Sequence, residues 1–205
     1  MQDKKNKSET INTLLECGLE LFGKYGYNSV TTKQIGEYSG LNSALVSYYF
    51  GGKKQYYIEV VRYVTDLIVH WFDDIEVGQL ESKTVAELEE LIKKSVNRFY
   101  EWFTSTLGAS GTNLFFQELI TMPCPEVAPH FDRAVSFITP FFINILTVYY
   151  RKTGRDHVNP VFVWILLIST TQNVSLHSSA PEEAQMAFAA AQIPQNILNL
   201  IINMP

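Results

Sequence analysis

Cysteine, glycine and proline are scarce in this 205-residue sequence, and each scarcity limits the possible structures. The two cysteines, Cys17 and Cys124, stand far apart and lack the spacing of metal ligands, so we expect two packed thiols of a cytosolic chain rather than a disulfide framework. Eleven glycines and eight prolines are few enough for long helices joined by short turns. Hydrophobic residues make up 46% and charged residues 18%, a balance typical of a globular protein.

Long hydrophobic runs are also missing. The most apolar stretches, residues 141–150 and 161–168, are shorter than the roughly 20 residues that a membrane-spanning helix needs. The first ten residues, "MQDKKNKSET", are polar and no apolar run follows them, unlike a signal peptide. We therefore predict a cytoplasmic chain with no membrane partner.

Signatures of catalysis are missing as well. The four histidines, at positions 70, 130, 157 and 177, form no HExxH or clustered metal pattern, and there is no GxSxG or glycine-rich phosphate loop. Asp73 and Asp74 are adjacent, so on a helix they point about 100° apart and do not form an acid–base pair. The sequence predicts no enzyme, no cofactor and no metal site.

Charge is unevenly distributed along the chain. Residues 1–56 hold seven lysines and five acidic residues, a net charge of +2, whereas residues 57–205 carry a net charge of −7. A polyanion such as DNA would be repelled by the second segment, so any nucleic-acid site should lie in the first.

Apolar residues recur with helical spacing almost throughout, and no alternating strand pattern occurs. We predict an all-α protein with helices near 10–25, 31–39, 42–50, from 53, 84–107, 111–121, 126–153, 158–178 and 182–203. Pro194 should kink or split the last one. The predicted division is a helix-turn-helix domain over 1–52, joined through a fourth helix to a larger helical ligand-binding and dimerisation domain over 53–205.

Residues 32–50 match the requirements of a helix-turn-helix. Ile35 should face the core, while Gly36 has no side chain at the point where two helices cross. Gly40 can adopt the positive φ of the tight turn, and Leu41 follows beneath it. Thr31 and Gln34 have the spacing of a capping box at the start of the first of these helices.

The second of these helices should expose short or hydrogen-bonding groups suited to base edges and phosphates in a major groove. They are Asn42, Ser43, Ser47 and Tyr48. The helix N-termini at Thr31–Thr32 and at Lys53 add backbone donors that favour phosphate. A plain helical hairpin whose tyrosines complete the core is the alternative, but the turn, the apolar pair Val46 and Tyr49 and the nearby lysines agree better with DNA binding.

This stretch resembles the DNA-binding domain of the tetracycline-repressor (TetR) family of transcriptional regulators. The resemblance runs from "LLECGLELFGKYGYNSVTTKQIGEYSGL" through "NSALVSYYFGGKKQYY", about residues 10–57. It implies that Thr32 and Lys53 hold phosphates and that Tyr48 and Tyr49 contact base or backbone. Many members have tyrosine where this chain has Ser47. This departure leaves the predicted DNA binding intact, but the resemblance then does not predict the operator sequence.

The larger domain is rich in aromatic residues, which suggests a core or an apolar cavity for a small ligand. The resemblance implies such a cavity, whose occupation moves the fourth helix. The candidate lining residues are His70, Trp71, Phe99, Trp102, Phe103, Phe116, Gln117, Phe137, Phe141 and Gln172. Further polar groups that could orient a ligand are Asn97, Glu118, His130 and Arg133.

The last two predicted helices have the character of a dimer interface. In "VFVWILLISTTQNVSLH" apolar residues cover nearly the whole circumference, more than one monomer core accounts for, although a central buried helix would show the same pattern. A two-fold dimer would also double a short recognition helix on a palindromic site. The sequence thus predicts a homodimeric repressor that binds a double-stranded operator and is released by a small apolar or aromatic effector. The alternative is a helical small-molecule-binding protein without specific DNA binding.

Overall fold

The computed structural model describes residues 2–73, 75, 78–121, 124–177 and 193–203, without the side chains of residues 2–5, 171–177 and 193. Within these ranges the chain is all-helical, as predicted, with nine α-helices and no strand. The helices are α1 (Gln2–Ser29), α2 (Thr32–Ser39), α3 (Ala44–Phe50), α4 (Lys53–Phe72), α5 (Val85–Thr104), α6 (Thr106–Thr121), α7 (Ala128–Lys152), α8 (Pro160–His177) and α9 (Ile193–Asn203). Short 3-10 helices cover Leu80–Ser82 and Pro125–Val127.

The chain divides into two compact units. The first comprises Met1–Ile68 and Thr106–Ala134, and the second Val69–Ser105 and Val135–Pro205. The first unit therefore combines the predicted helix-turn-helix region with most of α4, with α6 and with the start of α7. The predicted functional boundary after residue 52 stays a prediction.

The first unit is built on close packing of α1 against α6. Leu14, Leu19 and Phe22 of α1 are fully buried. At Gly23 an added Cβ would lie only 2.5 Å from the backbone oxygen of Ser110, so only glycine allows this approach. The Gln117 amide Nε2 donates a hydrogen bond to the Gly23 carbonyl at 2.7 Å. These contacts fix the scaffold that supports the short helices α2 and α3.

The second unit has a core of aromatic rings. The buried face of α5 includes Val96 and Phe99, and α5 contacts both α8 and α9. Phe99 lies 5.4 Å from Phe142 of α7 and 5.3 Å from Trp164 of α8, while Phe142 and Trp164 stack at 4.7 Å between ring centroids. Helix α7 is apolar and long enough to meet the length and composition criteria for a membrane span, and Phe142 is among its buried residues.

The starts of two helices differ from the prediction. Helix α1 begins at Gln2 rather than near residue 10, and Thr10 lies inside it, donating its hydroxyl to the Asn6 carbonyl at 2.8 Å. Helix α6 begins at Thr106 rather than near residue 111, and Gly108 is buried within it instead of separating two helices. Pro194 is the second residue of α9. The predicted kink or split at Pro194 stays a prediction, because the predicted helical residues 182–192 before it lie outside the described residues.

Candidate nucleic-acid interface

The start of α2 is held by a complete capping box. Thr31 is extended, and its hydroxyl accepts the Gln34 backbone N–H at 3.2 Å. The Gln34 side-chain oxygen accepts the Thr31 backbone N–H at 2.8 Å. This arrangement confirms the predicted capping box and fixes the helix N-terminus at Thr32, whose side chain is half-buried. The first amides of α2 are thereby oriented outwards, a geometry that favours phosphate.

The turn between α2 and α3 depends on two glycines, as predicted. Gly40 adopts the left-handed conformation, with φ 69°, and its N–H bonds back to the Gly36 carbonyl. An added Cβ at Gly36 would lie 2.9 Å from both the backbone nitrogen and the Cβ of Ser43. Ile35 and Val46 are fully buried on either side of this contact. The two helices therefore meet at van der Waals distance and form one rigid helix-turn-helix.

Helix α3 presents the predicted polar surface. Its first turn is held by Asn42, whose side-chain oxygen accepts the Ala44 backbone N–H at 2.9 Å. Asn42 and Ser47 are exposed and Ser43 is half-buried. Tyr48 is 77% exposed, the second most exposed large hydrophobic side chain of the described residues. An aromatic ring with a hydroxyl held in solvent is available to a ligand, because no core contact uses it.

Tyr49 differs from its neighbour Tyr48 in its surroundings. It is half-buried, meets the Tyr48 ring edge-on at 4.9 Å and lies 5.8 Å from the Lys7 ammonium of α1. Tyr49 therefore contacts neighbours on α1 and α3 and remains partly accessible to solvent. The Lys7 contact was not predicted, since the sequence pattern placed the start of α1 after this residue.

Two glycines turn the chain from α3 into α4. Gly51 caps α3 in the left-handed conformation, with φ 80°, and Gly52 follows with φ 131°. Helix α4 then begins at Lys53, as predicted. Lys53 is half-buried, and this burial lowers the pKa of its ammonium from the ordinary value of 10.5. Its Nζ lies 4.4 Å from the centroid of the Tyr27 ring.

The structure also reveals a polar network beneath the first turns of α4 that sequence spacing did not indicate. The Tyr57 hydroxyl donates to the carboxylate of Glu118 on α6, and burial raises the pKa of Glu118. One turn earlier the Lys54 ammonium donates to Glu126 at 2.6 Å, which holds the pKa of that carboxyl down to about 2. The Cys124 thiol donates to the same Glu126 side chain at 3.3 Å.

The predicted ligand-lining residues are divided between the two units. In the second unit the ring centroids of Phe99 and Phe103 lie 4.5 Å apart, and those of Trp71 and Trp102 lie 5.8 Å apart. Phe141 is buried, while Phe137 is partly exposed and His70 is exposed. Phe116 and Gln117 belong to the first unit, and the Gln117 amide is bonded to Gly23. The side chain of Gln172 lies outside the described residues.

The additional polar candidates have contacts of their own. In the first unit the Arg133 guanidinium pairs with Asp66, Glu118 accepts from Tyr57, and His130 is half-buried. In the second unit Asn97 is exposed. Among the described residues no group of three His, Cys, Asp or Glu side chains is arranged to hold a metal ion.

Comparison with known proteins finds a family match in the N-terminal part of the first unit. A family model described as "Bacterial regulatory proteins, tetR family" matches residues 14–60. The HTH-type transcriptional dual regulator CecR of Shigella flexneri is 37% identical over 59 residues, 29% of this chain and 26% of CecR. The HTH-type transcriptional regulator RutR of Escherichia coli K12 is 28% identical over 89 residues, 42% of this chain and 41% of RutR. The chain thus spans less than half the length of these curated relatives.

Solved structures extend the likeness of fold over nearly the whole chain. A putative transcriptional regulator from Saccharomonospora viridis, solved in complex with choline, superposes with a TM-score of 0.66 at 18% identity, covering 95% of this chain and 96% of that one. The sequence match covers the capped α2, the glycine turn and the exposed α3, and the structural match covers the all-helical remainder. Residues 14–60 thus match the tetR family of bacterial regulatory proteins, and the fold of the whole chain is similar to that of solved transcriptional regulators.

Proposed function

We propose that this chain is a ligand-responsive transcriptional repressor that binds a palindromic DNA operator in the cytoplasm. The observation that carries the proposal is the rigid helix-turn-helix that holds Tyr48 77% exposed on α3. An exposed tyrosine on the second helix of a helix-turn-helix is placed to contact a partner, and we assign that partner as the major groove of DNA. Thr31, Thr32 and Lys53 flank this surface at the N-termini of α2 and α4 and contact backbone phosphates.

Charge supports the same partner. Residues 1–56 carry a net charge of +2 and residues 57–205 a net charge of −7. A polyanion is therefore attracted to the N-terminal region and repelled by the rest of the chain. Asn42, Ser43, Ser47 and Tyr49 complete the DNA surface of α3. The acidic remainder keeps the rest of the protein away from DNA.

Two copies of the chain form the active regulator. One short recognition helix reads few base pairs, whereas a two-fold dimer reads a palindrome whose spacing the protein sets. The outer face of α8 supports this assembly, because Val161, Phe162 and Ile165 are 44%, 56% and 53% exposed. Leu200 of α9 is 45% exposed and adds to the same kind of surface. Apolar side chains in such a group are typical of a protein interface.

A small apolar or aromatic effector relieves repression. The aromatic cluster of the second unit, built around Phe99, Phe142 and Trp164, supports an apolar or aromatic ligand. The similar regulator from Saccharomonospora viridis was solved with choline, a small organic cation of the kind that aromatic faces attract. Such an effector must bind the DNA-free state more tightly than the DNA-bound one, since equal affinity shifts no equilibrium.

The test is binding to a labelled fragment from upstream of the protein's own gene, with excess unrelated competitor DNA. We expect a complex that resists competitor and weakens by about 100-fold or more between 50 and 200 mM salt, as phosphate contacts demand. Tyr48→Ala should weaken it by about tenfold or more. Tyr25→Ala, which removes another exposed tyrosine, is the matched control and should bind like the wild type.

Two results would contradict the proposal. If the wild type forms no competitor-resistant complex, here or in a genome-wide selection of bound fragments, the chain is instead a helical small-molecule-binding protein. If Tyr48→Ala and Lys53→Ala both bind the operator as tightly as the wild type, the assignment of contacts is wrong.

A further inference from the structure

Lys53 is the lysine at the start of α4 that the proposed function assigns to a DNA phosphate. A lysine side chain has four rotatable bonds, so a free one loses considerable rotamer entropy when it binds. A contact that already holds the ammonium in place in the free protein reduces that loss. The structure contains such a contact.

The Lys53 ammonium sits over an aromatic face. Its Nζ lies 4.4 Å from the centroid of the Tyr27 ring, well within the roughly 6 Å range of a cation–π interaction. Both side chains are half-buried, so water screens the attraction less than at a fully exposed site. Partial burial removes some of the water around the Lys53 ammonium and thereby lowers its pKa.

The Tyr27 ring is itself fixed from behind. It lies 4.8 Å from the Tyr57 ring of α4 and 6.2 Å from the Phe22 ring of α1, both of which are almost fully buried. Tyr57 is anchored in turn by its hydroxyl, which donates to the buried carboxylate of Glu118. The ring beneath Lys53 therefore rests on the core of the first unit rather than on a mobile surface.

The kinked end of α1 places Tyr27 at this point. Gly26 adopts φ 77° and ψ 161°, a conformation that interrupts α1 one residue before the tyrosine. Tyr25, on the other side of the kink, is 51% exposed, and the Nζ of Lys24 lies 5.2 Å from the centroid of its ring. Two tyrosines two residues apart thus each hold a lysine, but only one of these lysines begins α4.

We propose that Tyr27 is a positioning residue for DNA binding, whose ring holds the Lys53 ammonium in the place where it meets a phosphate. This inference rests on the proposed function and adds to it a residue that touches no DNA. The ring acts through Lys53 alone, so its removal costs nothing once Lys53 has been removed.

The experiment is a double-mutant cycle on operator binding by the full chain. Tyr27→Leu should weaken binding by about five- to thirtyfold, the range for a partly desolvated cation–π contact, whereas Tyr27→Phe keeps the ring face and should bind nearly like the wild type. In a Lys53→Ala background, Tyr27→Leu should have no further effect. Tyr25→Leu is the matched control, since it removes a tyrosine with a lysine partner elsewhere, and should not change affinity.

A second measurement separates positioning from folding. Replacing Tyr27 by phenylalanines of increasing fluorination keeps the shape of the ring while weakening its negative face, and affinity should fall with each step. A role in packing alone predicts no such gradient. This series also decides the question if Tyr27→Leu does not fold.

The outcomes distinguish the two proposals. Wild-type binding together with additive effects of Tyr27→Leu and Lys53→Ala, or a flat fluorination series, would overturn the positioning role and leave the regulator intact. A wild type that binds no DNA selectively would overturn both.

Discussion

Glu118 is a buried carboxyl group in the first unit, only 7% exposed. It accepts the Tyr57 hydroxyl, and Cys124 lies beside it with its backbone N–H bonded to the same carboxyl group. Burial dominates these hydrogen bonds and raises the pKa of Glu118 above its ordinary value of 4.5. The folded protein therefore holds this proton more tightly than the unfolded chain does.

This shift gives the first prediction. Because the folded pKa is the higher one, the contribution of Glu118 to stability is present below pH 4.5 and is lost as pH rises through the folded pKa. Glu118→Gln still accepts the Tyr57 hydroxyl but does not titrate. We expect the variant to gain free energy of unfolding relative to the wild type between pH 4.5 and pH 8, measured by urea denaturation.

Glu126→Gln is the control for this measurement. Glu126 is exposed, and its pair with Lys54 lowers its pKa from 4.5 to about 2, so its contribution to stability is lost as pH falls below 4.5 and is nearly constant over the upper part of the range used. A difference between wild type and Glu118→Gln that stays constant with pH would contradict the assignment of the raised pKa.

Individual residues were predictable where the physical rule is local. The capping box of Thr31 and Gln34 and the positive φ of Gly40 follow from neighbours within a few positions, and both are confirmed. The pairing of Tyr27 with Lys53 joins residues 26 positions apart, and Tyr57 with Glu118 joins residues 61 apart. No periodicity encodes such pairs, because they depend on how α1, α4 and α6 pack.

Among the helices, α2 and α3 depend most on a single residue. Gly36→Ala would place a methyl group 2.9 Å from the Ser43 backbone nitrogen and 3.0 Å from the Leu41 carbonyl oxygen, and neither atom can rotate away. We predict a loss of about 1–3 kcal/mol in the free energy of unfolding, as for overpacked cores. Thermal or urea denaturation of the purified variant measures it.

Gly78→Ala is the matched control for this change. An added Cβ there has no heavy atom within 4 Å, so we expect a change within about 0.5 kcal/mol. Equal stability of the Gly36→Ala variant and the wild type would mean that α2 and α3 do not cross as closely as described.

Helix existence was predictable from apolar spacing, whereas helix ends were less so. Gly108 was predicted to separate two helices, but it is buried inside α6. Three residues on, an added Cβ at Gly111 would lie 2.5 Å from Val64 of α4, so this glycine permits close helix packing. A single sequence does not distinguish the two uses, since the difference lies in the partner helix.

At the scale of the whole molecule, a single substitution on α8 tests the proposed association of two chains. Phe162→Glu would place a charge on the exposed face of α8, and a two-fold axis would bring two such charges together. We predict that the proposed dimer dissociates, with its affinity weakened by about 100-fold or more, because like charges at an interface cost several kcal/mol. Analytical ultracentrifugation over a range of concentrations measures this change.

Asn97→Glu, on the exposed side of α5, is the control and should stay dimeric. A Phe162→Glu variant that remains dimeric would place the interface on another surface. The sequence indicated α8 correctly as apolar around its circumference: Trp164 and Leu167 are buried, whereas Phe162 and Ile165 are exposed.

The two free thiols allow the chain to report its own opening. Cys17 is half-buried and Cys124 is buried, and burial raises the pKa of both, that of Cys124 to about 11. Because only the thiolate reacts with thiol reagents, the folded chain at neutral pH should be almost inert to them. Modification of the buried Cys124 then requires local opening of the first unit, so its rate of labelling in the wild-type protein measures how often that opening occurs.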